Sequence, residues 1–234
     1  MKLTIPQQNI WNLQKYYDDT AIANQCGAII YREKKDIELL KNAIAMVIHS
    51  QSGLRLRFTE EEEVSQYLAD ETELTIPVNN FSSSAELDAY ATEQAGNPIG
   101  LTDRAMYRFE IFTIGEKTGI LATLSHLISD AWTFSILANE VDKAYRICEG
   151  GEGLTLSGAD YFDYIQAENA YFSSEKQEKD VVFWSEKYQN RPQETPIKLN
   201  TSSSDSIKAK RVTKILPASL TIQLEAFCKE YSLT

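Results

Sequence analysis

Histidine is scarce in this chain, two in 234 residues, and one of the two stands where a reactive side chain is easily placed. Ser125-His126-Leu127-Ile128-Ser129-Asp130 follows the apolar run Ile120 to Leu124 and precedes Trp132 to Cys148, where apolar residues recur at helical spacing. The pattern predicts a buried strand, a turn carrying His126 and Asp130, and an amphipathic helix. Such turns expose side chains at the mouth of a sheet, where ligands usually sit. An imidazole there can exchange a proton near neutral pH or hold a developing charge by hydrogen bonding. Its plain alternative is a satisfied histidine at a strand end. Asp130, directly ahead of the helix, also reads as an N-cap. A nucleophilic Ser125 is disfavoured: the chain has no Gly-x-Ser-x-Gly elbow, and neighbours on a strand point to opposite faces.

The elements that must position this turn are partly visible. Asp36 to Gln51 carries Ile37, Leu40, Ile44, Val47 and Ile48 at helical spacing. Leu54 to Phe58 alternates in the period of a strand, with Arg55 and Arg57 sharing the face opposite Leu54, Leu56 and Phe58. Ser82-Ser83-Ser84 starts a helix that runs to about Ala95 before Gly96-Asn97-Pro98. Tyr107 to Ile114 and Ile120 to Leu124 are strands joined through a loop, Gly115 to Gly119. Asp160 to about Tyr188 is helical, broken near Ser173-Ser174, and its aromatics read as core packing. Glu60 to Glu63 reads as an exposed turn. Strands and helices alternate throughout, which implies an α/β domain. From Gln193 to Ser206 the composition turns polar, as in a linker, and beyond it Lys210 to Leu216 reads as a strand and Pro217 as the start of a helix. One strand and one helix bury too little to stand alone, so the chain reads as a fragment of a longer protein.

Composition excludes several function classes. A net charge of -11 argues against a nucleic-acid surface, which needs clustered Lys and Arg. The longest apolar runs fall far short of the roughly 20 residues of a membrane span, and the first residues lack a signal-peptide core, so a cytoplasmic protein is expected. Cys26, Cys148 and Cys228 lie far apart and read as reduced structural thiols, with no metal-ligand spacing. Gly150-Gly151-Glu152-Gly153 lacks a following Lys-Ser/Thr and reads as a helix stop and turn.

Four segments, in order, resemble the motifs of condensation domains of nonribosomal peptide synthetases, which belong with the chloramphenicol acetyltransferase-like acyltransferases. Thr4-Ile5-Pro6-Gln7-Gln8-Asn9-Ile10-Trp11 is similar to the opening motif Ser-x-Ala-Gln-x-Arg-Met/Leu-Trp, keeping Gln7 and Trp11. Ser50 to Phe58 is similar to Arg-His-Glu-x-Leu-Arg-Thr-x-Phe, keeping Leu54, Arg55 and Phe58. Ser125 to Ala131 resembles the signature His-His-x-x-x-Asp-Gly, with His126 and Asp130 retained, Ser125 in place of the first histidine and Ala131 in place of the glycine. Tyr161-Phe162-Asp163-Tyr164 resembles the fourth, Tyr-x-Asp-Phe/Tyr, and beyond these four Asp180 to Trp184 resembles the Asp-x-x-Tyr/Phe-Trp that follows in many relatives.

The resemblance implies a chloramphenicol acetyltransferase-like lobe, an α+β sandwich of helices on a mixed β-sheet. Residues 1–192 would form the N-terminal lobe, 193–208 a linker, and 209–234 the first strand and helix of a truncated C-terminal lobe. It implies amide-bond formation between a carrier-bound acyl or aminoacyl thioester and an aminoacyl acceptor, with His126 as base or positioning group. Asp130 would be structural, paired with Arg55, and Ser125 and Ala131 would be supporting positions. No cofactor would bind directly: substrates arrive on the phosphopantetheine of carrier proteins, which are the expected partners together with the C-terminal lobe. The fragment by itself would be catalytically silent. A non-catalytic scaffold that docks carriers is the alternative, favoured by Ser125 and Ala131, and a related acyltransferase or epimerisation-type domain is another. Heterocyclisation is disfavoured, because its signature has aspartate where Ser125 stands.

Overall fold

The structure, a computed structural model, describes residues 1–70, 74–158, 160–190 and 212–233. In chain order the elements are α1 (Ile5–Tyr16), β1 (Asn24–Ile30), α2 (Ile37–Ser50), β2 (Leu56–Glu60), β3 (Val64–Leu68), β4 (Val78–Phe81), α3 (Ser84–Gly96), β5 (Tyr107–Ile114), β6 (Lys117–Ser125), α4 (Ala131–Cys148), α5 (Tyr161–Phe172), α6 (Glu175–Lys187) and α7 (Ala218–Glu230). A 3-10 turn, Ser52–Arg55, links α2 to β2. The chain divides into two units, Met1–Pro192 and Gln193–Thr234.

In the first unit a mixed sheet runs in the order β1-β6-β5-β4. β6 is antiparallel to both neighbours, while β4 pairs with β5 in parallel. Side chains alternate across the pleat. Tyr107, Phe109 and Ile111 of β5 and Ile120, Ala122 and Leu124 of β6 therefore form one core with Leu40, Ile44 and Val47 of α2 and Leu137 and Val141 of α4. Phe112 and Leu121 point the other way and pack with Leu87 of α3. The result is a sheet between two helical layers, the mixed helix-and-sheet class that the sequence implies. A third cluster joins α1 to the β2-β3 hairpin through Trp11, Leu56 and Phe58.

Several local readings need correction. The β5-β6 hairpin turns in two residues, since Ile114 faces Lys117, and Gly115 takes φ 56° there. The remainder of the expected loop continues the ladder. The strand expected from Leu54 begins at Leu56, because Leu54 and Arg55 belong to the 3-10 turn. Helix breaks at Ser173-Ser174 as the sequence suggests, yet α6 buries no side chain and leaves Trp184 51% exposed, so its aromatics are not core. In the second unit, residues 212–217 form no strand: a strand needs a ladder partner, and the described residues there contain only α7, which Pro217 directly precedes. Lys210 and the expected linker, 193–208, lie outside the described residues.

Candidate active site

The His126 turn grows directly out of the sheet. β6 is a buried inner strand, and its pairing runs past its end: Ser125 N–H donates to the Met106 carbonyl at 2.8 Å and His126 N–H to the Ala23 carbonyl at 2.7 Å. The backbone beneath the imidazole is thus fixed from both sides. Ser125 is 3% exposed, and its Oγ accepts from Leu127 N–H at 3.3 Å. A hydroxyl so placed braces a turn and is no nucleophile. The His126 side chain is exposed, and its Nδ1 lies 2.6 Å from the Ser129 carbonyl. A carbonyl only accepts, so Nδ1 donates to it, and in the neutral ring Nε2 then keeps the lone pair.

His126 lines a cleft of about 830 Å³ bounded by the start of α1, the 3-10 turn, the His126–Asp130 turn, α4 and the start of α5. Residues from all four motifs meet at this cleft. Thr4 and Gln7 close a reciprocal capping box at the head of α1. The Gln7 amide, in a side chain 3% exposed, donates to Gln66 Oε1 at 2.9 Å and to the Leu127 carbonyl at 3.3 Å. It ties α1 to the turn that carries the imidazole. Ser52 Oγ accepts from Tyr161 N–H at 2.8 Å and donates to Asp160 at 2.9 Å, and the Tyr161 hydroxyl reaches Thr4 Oγ1 at 3.4 Å. The Thr4-x-x-Gln7 box is readable from sequence. The ties across the cleft are not, since they join residues far apart in the chain.

The structure brings Asp130 and Ala131 beside His126 and leaves Arg55 apart. Asp130 is the N-cap of α4: Oδ1 accepts from Thr133 N–H at 2.9 Å, and Thr133 Oγ1 accepts from Asp130 N–H at 3.0 Å. The Thr133 amide bond above all, and the nearby imidazole to a lesser degree, hold this carboxyl below its ordinary value. Arg55 donates instead to the Ala69 carbonyl at 3.3 Å, its Nε is buried without a partner, and it makes no ion pair among the described residues. The expected Arg55–Asp130 pair is absent, because the 3-10 turn aims Arg55 along the β2-β3 hairpin and the cap already satisfies Asp130. Ala131 is the first residue of α4 and lacks positive φ, so glycine's freedom is not required there. Deeper in the cleft wall lies Glu140, 3% exposed. Burial raises its carboxyl, but Lys143 at 2.7 Å and Ser157 N–H at 2.7 Å outweigh this and hold it below the usual value.

A family model described as the condensation domain matches residues 1–234. The chain belongs to the condensation-domain family. Among curated relatives, this condensation-domain chain is 29% identical over 97% of its length to surfactin synthase subunit 1 of Bacillus subtilis (strain 168). It is 25% identical over 95% of its length to polyketide synthase PksN of the same organism. It spans 7% and 4% of those two proteins. A starter condensation domain of the rhizomide synthetase, solved in complex with C8-CoA, superposes with a TM-score of 0.77 at 18% identity, covering 86% of this chain and 48% of that one. The first condensation domain of the calcium-dependent antibiotic synthetase, with a substrate analogue, gives 0.73 at 17% identity over 82% and 48%. These two likenesses concern the fold.

Proposed function

We propose that the protein containing this chain forms amide bonds between a thioester donor and an aminoacyl acceptor, both tethered by phosphopantetheine to carrier proteins. The observation that carries the reading is the imidazole at the cleft with Nδ1 committed to a carbonyl and Nε2 unencumbered. The acceptor nitrogen attacks the thioester carbon, the C–N bond forms and the C–S bond breaks. Nε2 takes the proton that leaves the nitrogen and returns it to the departing thiolate. An α-amino group titrates near about 8, so part of the acceptor is already neutral, and positioning of the amine shares the work with proton transfer. Asp130 and Ala131 start α4 and Ser125 braces the turn, so both departures from the family signature are accommodated without disturbing His126. Arg55 supports the hairpin behind the cleft. The chain covers 48% of each of the two solved condensation domains compared above, and a C-terminal lobe would supply the facing wall.

The test is turnover of the full-length protein with loaded carriers, beside its His126→Ala variant. Loss of about 10² to 10⁴ in rate is expected, the usual share of positioned acid–base catalysis. Equal, near-background turnover in both would overturn the reading in favour of a scaffold that docks carriers without chemistry.

A further inference from the structure

The state of the His126 ring depends on one carbonyl, and a carbonyl in a turn is only as steady as the residue that bears it. Ser129 is 8% exposed. Its hydroxyl lies 2.8 Å from the Ser125 carbonyl and 3.0 Å from Oε1 of Gln25. Gln25 sits on β1, facing Leu124 in the ladder, so its side chain reaches the turn from the neighbouring strand. The following residue, Asp130, is clamped by the α4 cap. The single Ser129 hydroxyl proton is shared between these two oxygens, one on β6 and one on β1, so either strand can hold the side chain while a helix holds its C-terminal side. Buried polar groups are retained where they pair, and here the pairing fixes the group that receives the Nδ1 proton.

We infer that Gln25 and Ser129 are positioning residues that hold the His126 imidazole in its Nδ1–H form. The catalytic consequence rests on the proposed role of His126, but the ring state does not. Ser125 takes part through its backbone carbonyl, which any residue supplies, so serine at that position leaves the brace intact.

Nitrogen-15 ring resonances of the 234-residue chain, recorded near pH 8 where a free imidazole is neutral, read the tautomer directly. The chain has two histidines, and His49→Gln leaves His126 alone in the spectrum. In this background Nδ1 is expected at a protonated and Nε2 at an unprotonated position. Gln25→Leu and Ser129→Ala should each draw the two resonances together, the Nδ1–H share falling about fivefold relative to the Nε2–H form, the weight of one ordinary hydrogen bond. Ser129→Thr, which keeps the hydroxyl, should restore them. If Ser129→Ala fails to fold, Gln25→Leu on the half-buried β1 decides. Unchanged ring resonances in a folded Gln25→Leu chain would overturn the inference and leave the role of His126 standing. Shifted resonances, in a full-length protein whose His126→Ala variant is no slower than its parent, would support the brace and remove the catalytic role.

Discussion

The Asp130 carboxylate is engaged in the cap of α4, where Oδ1 accepts from the Thr133 amide at 2.9 Å. Its position one residue before a helical period predicts a cap, and a cap is what it makes. Its partnership with Arg55 came from motif resemblance, and the folded chain uses the two groups elsewhere. Local hydrogen bonds follow from local sequence, whereas a side-chain pair 75 residues apart depends on how two loops happen to be aimed. Asp130→Ala should destabilise the first unit by about 1 kcal/mol in denaturant unfolding, and Asp130→Asn should recover most of it. If an arginine were the true partner, Asn would not rescue. The pH dependence follows in sign. The folded carboxyl titrates below its unfolded value, so its contribution is whole above the ordinary aspartate range and is lost as pH falls through the depressed folded value. Asp130→Asn should therefore lose less stability than wild type on acidification over that window.

Elements with strong period were legible, and weakly marked ones were not. α2, α3 and the break between α5 and α6 follow from apolar spacing and caps. β4 reads Val-Asn-Asn-Phe, and asparagine is depleted in strands, so only its parallel pairing with β5 makes it one. β1 is a strand because β6 lies beside it. That closeness appears at Gly119, where an added Cβ would stand 2.2 Å from Phe112 Cζ and 2.7 Å from the Ile29 carbonyl. Backbone and a buried ring cannot both move aside, so Gly119→Ala should cost about 1–3 kcal/mol or more, seen as a lowered thermal midpoint. Gln7→Ala should cost about 1–3 kcal/mol by leaving Gln66 and the Leu127 carbonyl unpaired. It should also slow turnover of the full-length protein, because that carbonyl neighbours the imidazole.

At the scale of the molecule, hydrophobic residues are a poor guide to where the core lies. Trp11 is 3% exposed and Trp184 51%, yet Trp11 stands among Gln8, Asn9 and Asn12 and Trp184 follows the apolar run Val181-Val182-Phe183. Trp11→Ala should cost about 3–5 kcal/mol in unfolding experiments, while Trp184→Lys should stay within about 0.5 kcal/mol. A large loss from Trp184→Lys would place α6 in the core after all. The site itself is divided along the chain: Ala23 and Gln25 precede His126 and Ser129 by about a hundred positions, yet the ladder Asn24↔Ser125 joins them. Closing so wide a loop costs entropy before any contact offsets it, and contacts of this separation form slowly. During synthesis the β1-β6 ladder cannot be completed until Ser125 has left the ribosome. The His126 turn is thus among the last parts of the sheet to take shape, and an amide-exchange pulse during refolding should find His126 N–H protected later than the amides of α2.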